Sequence, residues 1–266
     1  MARRKHKIYG VCRICGKYKK LSDDHVPPQG GVKIESVEIK KAFDIFSKQI
    51  GENKYFISQN GVKFTTLCEC CNSRLGREFD TTLNLFSKDI CKFLNSKLEL
   101  LGSYSISTKP NKLIRAVLGH LLASNVTDEI SEFDEKVREF LFDETKPIPD
   151  DINVFYWIYP YKLTIIIRDI LMSAVRGKYD DFGIFQILKY YPIGFLVTNK
   201  TSYQNLSSLS IFNSISPNEV RNINIRINEL KHWKWPEKID NGNAILIGET
   251  GSKGIKANKH NINKHV

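Results

Sequence analysis

Two cysteine pairs with the same internal spacing, Cys12-x-x-Cys15 and Cys68-x-x-Cys71, constrain this chain more than any other feature. A two-residue gap lets both sulfurs of a pair reach one ion, and two such pairs supply the four thiolates that tetrahedral zinc takes at about 2.3 Å. Four thiolates leave no open coordination position for water, so a zinc held there fastens the frame and the chemistry must lie elsewhere. The remaining cysteines do not change this. Cys70 is out of phase with the pairs and reads as a spare thiol, and Cys91 shares an apolar helix side with Ile90 and Leu94. Two tight clusters differ from the dispersed pattern of a small secreted disulfide scaffold.

The basic start, Met1 to Lys7, is not followed by an apolar run, so a secretory signal is not expected and the cytoplasm is the expected location. No stretch approaches the roughly 18 uninterrupted apolar residues of a membrane span. With 266 residues the chain is long for one domain and comfortable for two. Its formal charge of +11 is uneven: the first twenty residues carry eight Lys or Arg and no acid, and the tail after Glu249 is basic. Such an excess favours polyanions through counterion release, although it also serves plain solubility.

The pattern of residues divides the chain into an N-terminal module over 1–102, an α+β region over 103–250 and a basic flexible tail over 251–266. Within the first, Gln29 to Asn53 reads as an insertion with a short helix on Ile39, Phe43 and Phe46. Strands are predicted over 55–58 and 62–67, with Asn60-Gly61 as a tight hairpin turn. A helix carrying Phe79, Leu83, Phe86, Ile90 and Leu94 follows, expected to run to about Leu101 and stop at Gly102. Two more helices fit the apolar spacing of Leu113 to Leu122 and Ile130 to Leu141, ended by Pro147 and Pro149. Beyond them, strands over 152–159 and 163–167 turn at Pro160-Tyr161, and strands over 184–188 and 193–198 turn around Tyr190-Tyr191-Pro192. Weaker strands cover 222–227 and 244–247.

The chemistry is suggested by what lies beside the cysteines. Asp24-His25 falls between the pairs, and Asn72 follows Cys71 directly. Phosphodiester hydrolysis needs an activated water and a Lewis acid for the developing charge. A carboxylate and an amide oxygen are hard ligands for Mg2+ or Mn2+. A neutral imidazole accepts a proton near cellular pH. Asp24 and Asn72 would then clamp the ion while His25 serves as general base. Neighbours on a strand point to opposite faces, so the two serve one site only where the strand bends or bulges, for which Val26-Pro27-Pro28 is suited.

The series Cys-x-x-Cys, Asp-His-Val-x-Pro, then Leu-Cys-x-x-Cys-Asn-x-x-x-Gly resembles the HNH (ββα-metal) endonucleases, in the four-cysteine zinc branch whose last motif residue is Asn. The resemblance covers residues 9–82. It implies a zinc-stapled ββα-metal module, with Cys12, Cys15, Cys68 and Cys71 on zinc, Asp24 and Asn72 on the catalytic ion and His25 as base. The chain departs from the family at Gln29, where a Lys is common, and in its long insertion; Asn60 is only a loose counterpart of the middle Asn. Stand-alone proteins of this build resemble defence or mobile-element nucleases.

Other residues have two readings. Arg74 and Arg77, on the helix after Asn72, fit phosphate contacts or a solvated face. Asp80 lies about 12 Å along a helix from Asn72, too far for one ion, and reads as a structural acid. His120 sits among leucines and reads as a packed core histidine. His232-Trp233-Lys234-Trp235 fits base stacking but better fits packing. The expected fold class is therefore α+β, a zinc-stapled HNH module followed by a helical and antiparallel-β-rich region. The expected partner is double-stranded DNA, with a homo-oligomer open. The competing functions are a non-catalytic zinc-ribbon nucleic-acid-binding protein, an RNA-directed nuclease, and a restriction-type enzyme with sequence preference.

Overall fold

The computed structural model describes residues 8–31, 35–41, 55–96, 102–127, 130–173, 182–236, 244–246 and 253–259. The chain opens with strands β1 (Tyr9–Val11) and β2 (Tyr18–His25), an antiparallel pair joined across the first cysteine knuckle. Strands β3 (Val37–Lys41) and β4 (Phe56–Ser58) pair with each other, and β5 (Lys63–Cys68) returns to β2. Helix α1 (Glu69–Leu75) begins on the second knuckle, passes through one π-helical turn at Gly76–Asp80 and continues as α2 (Thr81–Leu94). Strand β6 (Ser103–Thr108) and helices α3 (Pro110–Ala123) and α4 (Glu132–Leu141) follow. The remainder is mostly strand: β7 (Asn153–Ile158), β8 (Leu163–Ser173), β9 (Phe182–Tyr190) and β10 (Ile193–Thr198). Shorter strands complete it, β11 (Ser207–Ser208), β12 (Arg221–Arg226), β13 (Ala244–Leu246) and β14 (Lys253–Lys259).

The described residues form a mixed α and β fold with few helices and several antiparallel sheets. A three-stranded sheet in the order β1-β2-β5 carries both knuckles, and β6 pairs with β12. The large sheet runs β11-β7-β10-β9-β8-β14-β3-β4, with β13 also on β8. It takes strands from both sides of residue 102, and one hydrophobic core extends from Cys12 to Ala257, so the expected boundary at 102 is crossed by both.

Helix α3 is the axis of this core. Proline at its first turn has no N–H to lose, and every residue of the helix except Lys112 is buried. Gly119 is required where α3 crosses α1, because a Cβ there would lie 2.4 Å from Leu75 Cδ1. Its buried Arg115 is satisfied by Asn111 Oδ1 and by the carbonyls of Phe140, Leu141, Asp143 and Lys146 at the end of α4, and it stacks on the Phe140 ring. Helix α4 is started by Ser131, whose hydroxyl accepts from Asp134 N–H, with Glu132, Asp134 and Glu135 in its first turn.

The end of α3 ties the sheets together. Thr66 donates to Ala123 O, Arg13 of the first knuckle donates to Asn125 O, and Arg138 donates to Arg13 O. From the large sheet, buried Arg168 donates to Leu121 O and pairs with Asp134.

Several expectations are corrected. Asn60-Gly61 does turn the chain, with Gly61 at φ +70°, but β4 joins β3 and β5 joins β2, so no hairpin forms between them. The reason is burial: Phe64, Leu67 and Cys68 of β5 belong to the knuckle core, whereas Phe56 and Ile57 of β4 are exposed at a sheet edge. Ile39 is a buried strand residue paired with Ala257 instead of a helical one, and Phe43 and Phe46 lie outside the described residues. The long helix stops at Leu94, where Asn95 Nδ2 donates to Cys91 O. Strands β7 and β8 are not a hairpin either, since the β9–β10 hairpin lies between them. The tail expected to fray supplies β14, wedged between β8 and β3.

Candidate metal centre and neighbouring polar site

The Sγ atoms of Cys12, Cys15, Cys68 and Cys71 all lie within 4.8 Å of one another, close enough to hold a metal. Tetrahedral bonds of about 2.3 Å separate sulfurs by about 3.8 Å, and Cys15 and Cys68 stand 3.9 Å apart. The donor set therefore fits zinc. Cys12 Sγ also accepts the Cys68 backbone N–H at 3.3 Å. The hydrogen bond from Cys71 lowers the Cys12 pKa against the opposing effect of burial, and the same bond raises that of Cys71. Cys70 is exposed and outside the cluster; Cys91 contacts the Tyr191 hydroxyl at 3.7 Å.

Strand β2 carries Asp24 and His25 past this centre. Its register against β5 shifts between Ser22 and Asp24, so the bulge lies upstream of the prolines. Asp24 is 4 % exposed and turns inward to α3, where Oδ2 meets His120 Nδ1 at 3.3 Å. His25 turns to the other face. It is half-buried at the wall of a cavity, with Nε2 2.6 Å from Gln29 Nε2. An amide NH2 only donates, so that ring nitrogen is the acceptor. Burial, and then Lys63, lower the His25 pKa, opposed by Asp24 and Asp23.

Asn72, in the first turns of α1, reaches β2 from below the second knuckle. Its Nδ2 donates to Asp23 O at 2.9 Å and to Ser22 Oγ at 3.1 Å. A carbonyl acceptor fixes which end of the amide is which, so Oδ1 is turned away from these bonds. Asn72 is thus placed against the Asp23–Asp24 segment, but no hydrogen bond joins the side chains of Asp24, His25 and Asn72 to one another.

Two groups that sequence reasoning set aside belong to this site. His120 is fully buried, as expected for a core histidine, yet both ring nitrogens face carboxylates: Asp24 Oδ2 at 3.3 Å and Asp80 Oδ1 at 2.9 Å. Burial works against its charge, and Asp80 and Asp24 outweigh burial, raising its pKa to about 10. Asp80 comes within reach at the end of the π-helical turn. A histidine within the run Leu118 to Leu122 was the available signal; its partners lie in other elements. Arg74 is occupied by Glu78 at 2.8 Å, by Phe142 O and by the Phe142 ring, whereas Arg77 is exposed. Trp235 packs against Trp157 and Tyr203. Among the described residues no helix is long and apolar enough to cross a membrane. No protein-family model, curated protein or solved structure matches this chain.

Proposed function

We propose that this protein is a metal-dependent nuclease of the HNH type that hydrolyses phosphodiester bonds in DNA. One observation carries the reading. The hydrogen bonds of Asp24 and Asn72 use Oδ2 of the acid and Nδ2 of the amide, and among the described residues none takes the Oδ1 of either. Two hard oxygens are left for a divalent cation on one short segment of β2 and the helix that grips it. Such an ion, when bound, supplies Lewis acidity to the phosphate. His120 holds the Asp24 carboxylate in place, Asn72 holds the strand, and the zinc knuckles fix β2, β5 and α1 relative to one another.

In this reading His25 is the general base, which requires the end of β2 to bring His25 and Asp24 to one face when substrate binds. Its unprotonated Nε2 accepts from Gln29, and replacement of that amide by water places a nucleophile on a nitrogen free to take its proton. The basic hairpin beside the site, with Tyr18, Lys19 and Lys20 exposed, suits a phosphate backbone. That hairpin also supports the second reading, a zinc-ribbon protein that binds nucleic acid without cutting it.

The test is cleavage of plasmid DNA, single-stranded DNA and single-stranded RNA with Mg2+ or Mn2+ by the wild type and by His25→Ala and Asn72→Ala. Loss of cutting in both variants with binding retained supports the nuclease. Equal cutting by all three, or none by the wild type with either metal, overturns it. Preferential cutting of RNA changes the substrate and leaves the chemistry. Discrete fragments in place of a smear identify sequence preference.

A further inference from the structure

We infer that the cavity beside His25 is a nucleotide subsite, taking one nucleobase with its polar edge at His25 and its phosphate at Lys162. The inference deepens the nuclease reading by naming what part of the substrate enters next to the base. The cavity measures about 330 Å3 and lies where the end of β2 meets the start of β8 and the β9–β10 turn. Its volume is at the low end for small-molecule sites, enough for one nucleotide-sized group.

The lining selects the chemistry. Pro27, Val62, Leu163 and Pro192 give apolar walls that suit the faces of a planar ring. His25 and the exposed Lys162 place a hydrogen-bonding imidazole and a cation at the same cavity, together with the Glu35 carboxylate, which has a partner of its own. A hydrocarbon ligand would leave the imidazole and the cation without a counterpart, and a sugar would leave the apolar walls without one. A nucleotide has apolar faces, a polar edge and an anion. Tyr191 adds a prepared aromatic wall, because its hydroxyl accepts from Asn95 Nδ2 at 3.1 Å and from Cys91 Sγ at 3.7 Å. A ring held in advance loses little freedom on stacking. A phosphate at Lys162 leaves its own nucleoside at the cavity mouth, and a base enters only from a single strand or after leaving the duplex stack.

The test is binding, read without Mg2+ or Mn2+ so that it stands apart from cleavage. The four deoxynucleoside 5′-monophosphates and a short single-stranded oligodeoxynucleotide are titrated by calorimetry into the wild type, Thr164→Trp, which fills the cavity, and Lys162→Ala, which removes the rim charge. A thermal melt checks that Thr164→Trp is folded, and Lys162→Ala, an exposed position, tests the site in any case. The expected result is mononucleotide binding weakened about tenfold or more by each variant, with the Lys162→Ala effect shrinking at high salt. Competition between mononucleotide and oligonucleotide identifies the strand as the source of the base; its absence identifies a free nucleotide as the occupant. No mononucleotide binding by the wild type, or binding unchanged in both variants, overturns the subsite. Binding without any cleavage supports the subsite and counts against the nuclease, whereas cleavage untouched by both variants does the reverse.

Discussion

His120 Nδ1 stands 3.3 Å from Asp24 Oδ2, which joins the last turn of the most buried helix to the carboxylate expected to hold a catalytic ion. The other ring nitrogen, 2.9 Å from Asp80, makes the imidazole a brace between two acids. Replacing His120 by Ala leaves the buried Asp24 and the half-buried Asp80 without their cation. By the behaviour of buried pairs that lose one partner, this costs about 3 kcal/mol or more. The pH dependence follows from the raised pKa. The folded value of about 10 exceeds the unfolded one, so the contribution is full below an unfolded pKa of about 6.5 and is lost as pH climbs towards 10. Urea midpoints at about pH 6 and about pH 9.5, on either side of most of that window, should differ in the wild type and converge in His120→Asn.

Zinc should be present at one ion per chain and resist gentle dialysis. Its removal by a strong chelator should lower the melting temperature sharply, since β2, β5 and α1 meet at the four sulfurs and metal binding there is folding energy. Cys12→Ser should reproduce the loss and Cys70→Ser should not, because Cys70 lies outside the cluster. Metal content by elemental analysis alongside melting curves decides this.

For His25, burial holds the folded pKa below its ordinary value of about 6.5. The imidazole is then deprotonated across the neutral range, and the acid limb of any cleavage rate should have its midpoint under that value. The stability sign is opposite to that of His120: as pH falls below about 6.5 the unfolded chain takes the proton first, so His25 weakens the fold there and is silent above. An NMR titration of the ring C–H signals, compared with His25→Gln, measures both. A midpoint above about 6.5 contradicts the environment described.

Gly119→Ala should destabilise the protein by about 1–3 kcal/mol, the range for overpacking a tight core. Its Cβ would meet Leu75 at 2.4 Å on the face where α3 crosses α1. Adding Leu75→Ala should recover part of the loss, a coupling readable in a double-mutant cycle.

How much of this was legible beforehand follows from the range of each interaction. Cys12 to Cys71 could be read as one site because spacing within each pair is a local property and thiolates have few other uses in such an arrangement. Helices α3 and α4 could be read because apolar periodicity is local, and so could the strands at 193–198 and 153–158. Strand pairing was not legible. Nothing within Asn60-Gly61 says that β4 turns away to β3, and nothing within 152–167 says that a later hairpin will separate β7 from β8.

The sequence by itself determined which groups are chemically able to act: four thiols, an acid next to an imidazole, and an amide after the last cysteine. Only the tertiary structure decided how they are aimed. Strand alternation turned Asp24 towards α3 and His25 towards the cavity, and burial then required partners for the acid, which His120 and, through it, Asp80 supply from elements far along the chain. Chemical type is a property of single residues, whereas direction and desolvation belong to the packed whole.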